Sequence, residues 1–206
     1  MLYIFHGEDE FSRSEATRAL RQKMDPVMGD LNTAVLDGRG LTMGELRAAC
    51  DTIPFMASCR LVIVHDLISS LSVGKKGRER GEAPPDENRL RELEDYLPRL
   101  PESTKLVLDE GRALPEGNRL LKLAGSLGAF VRAFAVPTGP DLEHWIRGRA
   151  RAKGAGIAPD AVALLATYVG TNLRQLDQEL EKLALYAGDG ATISRADVER
   201  LVSSLQ

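Results

Sequence analysis

The turn Gly7-Glu8-Asp9-Glu10-Phe11-Ser12-Arg13-Ser14 has the frame of a phosphate-binding loop without its chemistry. Such loops run from a glycine through four residues to Gly-Lys-Ser/Thr. Their backbone amides cradle phosphates, the lysine neutralises them and the hydroxyl binds magnesium. Here Gly7 and Ser14 fit the two ends, Ser12 stands for the second glycine and Arg13 for the lysine. Glu8, Asp9 and Glu10 place three carboxylates where phosphate charge would sit. Like charges at about 4 Å cost about 4 kcal/mol at an effective dielectric of about 20, which acts against ATP binding. The same acids have another role open to them, at the start of a helix whose dipole favours anions. A second fragment of a nucleotide site is Leu106-Val107-Leu108-Asp109-Glu110. In a working site the aspartate holds magnesium and the glutamate activates water. Many strands end in acids, so without a competent loop the set Gly7, Ser12, Arg13, Ser14, Asp109 and Glu110 reads as a relic. A weakly active ATPase is the enzymatic alternative.

No other catalytic grouping stands out. His6, His65 and His144 have no companions in sequence, and neither Ser58 nor Cys59 has a base beside it. Cys50 and Cys59 form no CxxC pair, so no metal site is expected and the thiols read as free and buried. No cofactor is implied, and the expectation is a protein with no catalysis of its own.

A net charge of −3, 43% hydrophobic and 28% charged residues fit a folded chain and exclude a bulk nucleic-acid binder. DNA contact would need a local patch. Arg147 and Arg151 share one helix face, as do Arg149 and Lys153, and such a run can track phosphates without reading sequence. The other reading is a solvated helix face. The apolar start Met1–Phe5 is too short for a secretory signal, and no run reaches the roughly 18 apolar residues of a membrane helix. A cytoplasmic protein without membrane contact is expected.

The elements that must carry these residues alternate. Short apolar runs at 2–5, 32–36, 61–64, 105–109 and 129–131 read as five strands. Helical patterns separate them at 11–24, from Thr42 to near Ile53, around Leu90–Leu97 and at 114–124. Thr42 with Glu45 makes a capping box, and Pro54 disfavours helix in the residue before it. Leu61-Val62-Ile63-Val64 is continuously apolar, as in a parallel strand covered on both faces. After Pro137 and Pro140 only helical patterns follow, with Leu173, Leu176, Leu180 and Leu183 on one face. The expected architecture is a five-stranded parallel α/β sheet with helices on both faces at 1–138, then a small all-helical domain at 139–206. The polar stretch 72–88, with Lys75, Lys76, Arg78 and Arg80 balanced by acids, reads as a mobile surface loop.

Four local runs carry a more specific resemblance. They are Tyr3-Ile4-Phe5-His6-Gly7-Glu8-Asp9-Glu10-Phe11 and Pro54-Phe55-Met56-Ala57-Ser58-Cys59-Arg60-Leu61-Val62-Ile63-Val64. The third is Trp145-Ile146 with Arg149-Ala150, Gly154 and Ile157, and the fourth is Leu176 with Glu179-Leu180-Glu181-Lys182-Leu183-Ala184-Leu185-Tyr186. In order and spacing they resemble the delta subunit of the bacterial DNA polymerase III clamp loader, across essentially the whole chain. The resemblance implies an AAA+ domain with a helical lid. It implies a subunit of a pentameric loader that opens the beta sliding clamp during DNA replication without hydrolysing ATP. It would belong to the polymerase holoenzyme by association only. Implied partners are the clamp, the ATPase and delta-prime type loader subunits, and primed DNA through the assembled loader. The family's third, collar domain would lie beyond Gln206, so this sequence is expected to lack it. The clamp contact would fall on Pro54 and Phe55, with Ile53 and Met56 beside them. An aromatic anchor in a partner's pocket is worth about 2 kcal/mol or more. The alternative places Phe55 in its own core. An AAA+ ATPase with a divergent phosphate loop, or a non-catalytic adaptor, are the competing functions.

Overall fold

A computed structural model describes residues 1–72 and 86–202. Most of the polar segment expected to be mobile, including Lys75, Lys76, Arg78 and Arg80, lies outside the described residues. The chain divides into two compact units, Met1–Ala135 and Val136–Gln206.

The first unit is built on five parallel strands: β1 (Leu2–His6), β2 (Thr33–Asp37), β3 (Arg60–His65), β4 (Thr104–Glu110) and β5 (Phe130–Ala133). Their order is β2-β3-β4-β1-β5. The continuously apolar strands take the middle, and the more exposed β2 and β5 take the edges. Alternation within the strands splits the core in two. Leu2, Ile4, Val62, Val64, Leu106 and Leu108 face one side. Phe5, Leu61, Ile63 and Val107 face the other, against Ala16, Leu20 and Met24. Each fully buried side chain of this size contributes about 1.5–3 kcal/mol.

The helices cover both faces, as the sequence predicts. Helix α1 (Glu10–Gln22) starts on Asp9, whose side chain accepts from the Ser12 amide at 2.9 Å. Helix α2 (Met43–Asp51) opens on the expected capping box: Glu45 N–H donates to Thr42 Oγ1 at 3.2 Å, and Thr42 N–H to Glu45 Oε2 at 2.8 Å. A short helix α3 (Leu67–Ser72) was not expected. It is followed by α4 (Glu87–Tyr96) and α5 (Arg119–Ser126). The last begins later than the reading from Leu114. Pro115 keeps Leu114 out of helical geometry, and Asn118 Oδ1 caps Leu120 N–H at 2.9 Å.

The second unit contains α6 (Gly139–Ala152), α7 (Pro159–Val169), α8 (Leu173–Ala187) and α9 (Arg195–Leu201). The predicted stripe Leu173, Leu176, Leu180 and Leu183 is buried. One correction applies to the all-helical reading. Gly156–Ile157 and Thr192–Ile193 pair in parallel as β6 and β7. Two residues per strand are too few for any periodicity to show in sequence.

Candidate functional site

The loop after β1 is closed on itself. Gly7 sits at φ +123°, and a Cβ there would lie 2.2 Å from the Phe134 carbonyl oxygen, so only glycine fits. Its N–H donates to the Glu110 and Arg112 carbonyls at 3.2 and 3.1 Å. Asp9 N–H donates to Phe134 O, Glu10 N–H to Glu8 O and Arg13 N–H to Asp9 O. Ser12 N–H is taken by the Asp9 side chain, and the Ser14 hydroxyl donates to Phe11 O at 2.8 Å. The amides of Gly7, Asp9, Glu10, Ser12 and Arg13 and the Ser14 hydroxyl, which lie in the frame of a phosphate loop, are therefore occupied by the protein.

Two of the candidate nucleotide-site residues, Arg13 and Asp109, meet at the end of β4. Arg13 and Asp109 are both buried, and Arg13 Nη1 donates to Asp109 Oδ1. His65 Nδ1 lies against the other carboxylate oxygen. Burial pushes the Asp109 carboxyl up, but the hydrogen bonds from His65 and Arg13 outweigh it and hold it below its ordinary value. The Asp109 hydrogen bond in turn raises the His65 imidazole, against partial burial. A cavity of about 440 Å³ opens beside this group, lined among others by Arg13, Arg18, Arg21, His65 and Asp66. Glu110 points elsewhere. It is fully buried and accepts from Ile68 N–H at 2.7 Å, Ser69 N–H at 2.9 Å and Ser69 Oγ at 2.7 Å. Burial raises its carboxyl. It thus caps α3 instead of facing the loop at Gly7. Among the described residues no cluster of metal-ligating side chains is present.

The segment after α2 presents its apolar side chains outward. Ile53 is 85% exposed, Phe55 58% and Met56 74%, so Phe55 does not fold into the core. Pro54 is half-buried. Met56 has φ +48°, a left-handed conformation uncommon outside glycine. The start of this presentation is pinned. Thr104 Oγ1 donates to Cys50 O at 2.6 Å, and Tyr96 OH donates to Asp51 Oδ1 at 2.7 Å, which fixes the end of α2. Cys50 itself is buried, and its thiol is pushed up to about 11.

In the second unit the cationic face of α6 is largely matched by acids. Arg147 pairs with Glu143 at 2.8 Å. Arg149 pairs with Asp177, and Lys153 with both Asp177, at 3.0 Å, and Glu181. Arg151 is exposed.

Residues 3–134 match the family model described as DNA polymerase III, delta subunit. The chain belongs to this delta subunit family. A Bacillus subtilis (strain 168) DNA polymerase III subunit delta is 26% identical over 204 residues, covering 98% of this chain and 56% of the relative. The solved Bacillus subtilis DNA clamp loader delta protein superposes with a TM-score of 0.77 at 26% identity, over 98% of this chain and 58% of that one. This delta-family chain thus spans a little over half the length of both relatives. The Thermotoga maritima RuvB Holliday junction branch migration motor shares the fold alone, at 14% identity and a TM-score of 0.50.

The structure brings Arg13 and Asp109 together, but separates Glu110 from them. It also adds residues that have no signal in the sequence. The companion of His65, Asp109, lies 44 positions away. Asn32 reads in sequence only as the start of a strand. It is fully buried and its side chain bonds the backbone of Phe55. A buried amide in a loop leaves no mark in a single sequence.

Proposed function

We propose that this delta-family chain supplies the clamp-gripping contact of a bacterial clamp loader. The segment Ile53, Pro54, Phe55 and Met56 docks on the beta sliding clamp and stabilises its opened form during DNA replication. The observation that carries the reading is the outward presentation of Ile53, Phe55 and Met56 on a segment whose backbone is held at the end of α2 and at Phe55. Apolar side chains held rigid in solvent lower the ordering cost of docking.

The chain acts without hydrolysing ATP. This part of the reading is supported by the spent amides of the loop after β1 and by Arg13 bound to Asp109. ATP-driven motion would come from the ATPase subunits of the loader, with a delta-prime type subunit as a further partner, and primed DNA would be met by the assembled complex, in the cytoplasm. The pairing of Arg149 and Lys153 with Asp177 and Glu181 favours a structural role for these cations over DNA contact.

The test is binding of a purified beta clamp to the chain and to Phe55→Ala. Loss of an aromatic anchor is worth about 2 kcal/mol, or about 30-fold in affinity. Unchanged affinity would remove the assignment.

A further inference from the structure

We propose that Asn32 is a positioning residue for the docking segment, acting through the backbone of Phe55; this rests on the reading of Ile53–Met56 as the clamp contact. Asn32 immediately precedes β2, and its side chain is fully buried. Its Oδ1 accepts from Phe55 N–H at 2.6 Å. Its Nδ2 donates to Phe55 O at 2.8 Å and to Met28 O at 2.9 Å. The carboxamide therefore engages both polar groups of one residue, as a neighbouring strand would, and each amide hydrogen has an acceptor.

The main chain of Asn32 is tied as firmly. Its N–H donates to Met28 O at 3.1 Å, and its carbonyl accepts from Leu61 N–H at 2.8 Å. Residue 32 is thus fixed to β3 on one side and grips the loop before β3 on the other. The pairing of β2 with β3 begins at Thr33 and Leu61, so no ladder bond is available to hold residue 55. The side chain of Asn32 supplies what the ladder does not. Met56 follows directly, in its left-handed conformation. A strained residue persists where its surroundings over-determine it, and the pinned Phe55 backbone is such a surrounding. No other residue type does the same work at this length. Aspartate has no donor for the two carbonyls, and leucine has neither donor nor acceptor.

The role of Asn32 is presentation, so its loss must act through Phe55. A double-mutant cycle on beta-clamp affinity reads that directly. In the full chain, Asn32→Ala is expected to weaken clamp binding about tenfold, the order of cost for re-ordering a loop on docking. In the Phe55→Ala background the same change is expected to cost little more. Hydrogen exchange supplies the second readout: the Phe55 amide should lose protection in Asn32→Ala while the amides of Leu61–Val64 keep theirs. Equal losses in both backgrounds, or an unchanged Phe55 amide, overturn the inference. So does a clamp affinity that falls with Phe55→Ala but not with Asn32→Ala, leaving the clamp reading intact. An affinity that Phe55→Ala does not change removes the clamp reading itself and the positioning role with it. If Asn32→Ala melts the unit, Asn32→Ser goes through the same cycle and is judged by the same outcomes.

Discussion

His65 Nδ1 lies 2.9 Å from Asp109 Oδ2, and the other oxygen of that carboxylate is held by Arg13. The residue placed to bind magnesium in a working nucleotide site is thus enclosed by one cation and one imidazole. The consequences can be measured separately.

The first concerns nucleotide. Titration with a fluorescent ATP analogue and magnesium is expected to show no binding at micromolar concentrations. Arg13→Lys restores the residue of a competent loop, but it does not free the amides of Gly7, Asp9 or Arg13. It should therefore leave binding absent. Micromolar, magnesium-dependent binding by the unaltered chain, lost in Asp109→Ala, would contradict this.

The second is a pH dependence. His65 is raised above its ordinary value of 6.5, so its contribution to stability is fully present below that value and fades as pH rises through the raised one. Asp109 is lowered from 3.8, so its contribution is present above that value and fades as pH falls through the lowered one. The pair therefore stabilises most between these limits. Asp66 favours charged His65, and Arg13 opposes it. The stability gap between the chain and His65→Gln should shrink as pH rises past neutrality. Thermal melts across pH measure the gap, and one that stays constant would rule the linkage out. Because His65 is half exposed, the effect will be small.

Glu110 gives a larger effect. Glu110→Ala leaves the N–H groups of Ile68 and Ser69 without their carboxylate acceptor. Losing the acceptor of a buried N–H costs about 1–3 kcal/mol, and Ile68 is buried while Ser69 is part-buried, so a loss of about 2 kcal/mol is expected in urea unfolding. A loss below about 1 kcal/mol would mean that water replaces the carboxylate and that α3 does not depend on it.

Met56 separates backbone strain from packing. A left-handed conformation costs an L-residue roughly 1–2 kcal/mol, and glycine avoids it. Met56→Gly is expected to leave stability within about 1 kcal/mol of the parent, since the entropy of an added glycine offsets the relief. Clamp affinity should fall with the lost side chain. A larger drop in melting stability would show that Met56 is packed and not presented.

Much of the architecture was legible because the strands are apolar and β-branched and the helices carry local caps such as Thr42 with Glu45. What was missed depends on partners distant in sequence. Helix α3 has only six residues, and the carboxylate at its start comes from Glu110, 41 positions beyond Ser69. Asn32 is tied to Phe55 across 23 positions. Neither link has a local signature. The candidate nucleotide site was half legible: residue types revealed the substitutions at Ser12 and Arg13 and the acids before them, but not that Glu110 turns to the opposite face of the sheet.

That opposite facing has a mechanical consequence. Successive residues at the end of β4 reach in two directions, Asp109 to α1 through Arg13 and Glu110 to the start of α3. One strand end thus rivets helices on both faces to the sheet, so that neither α1 nor α3 can slide along it without breaking a side-chain bond to β4.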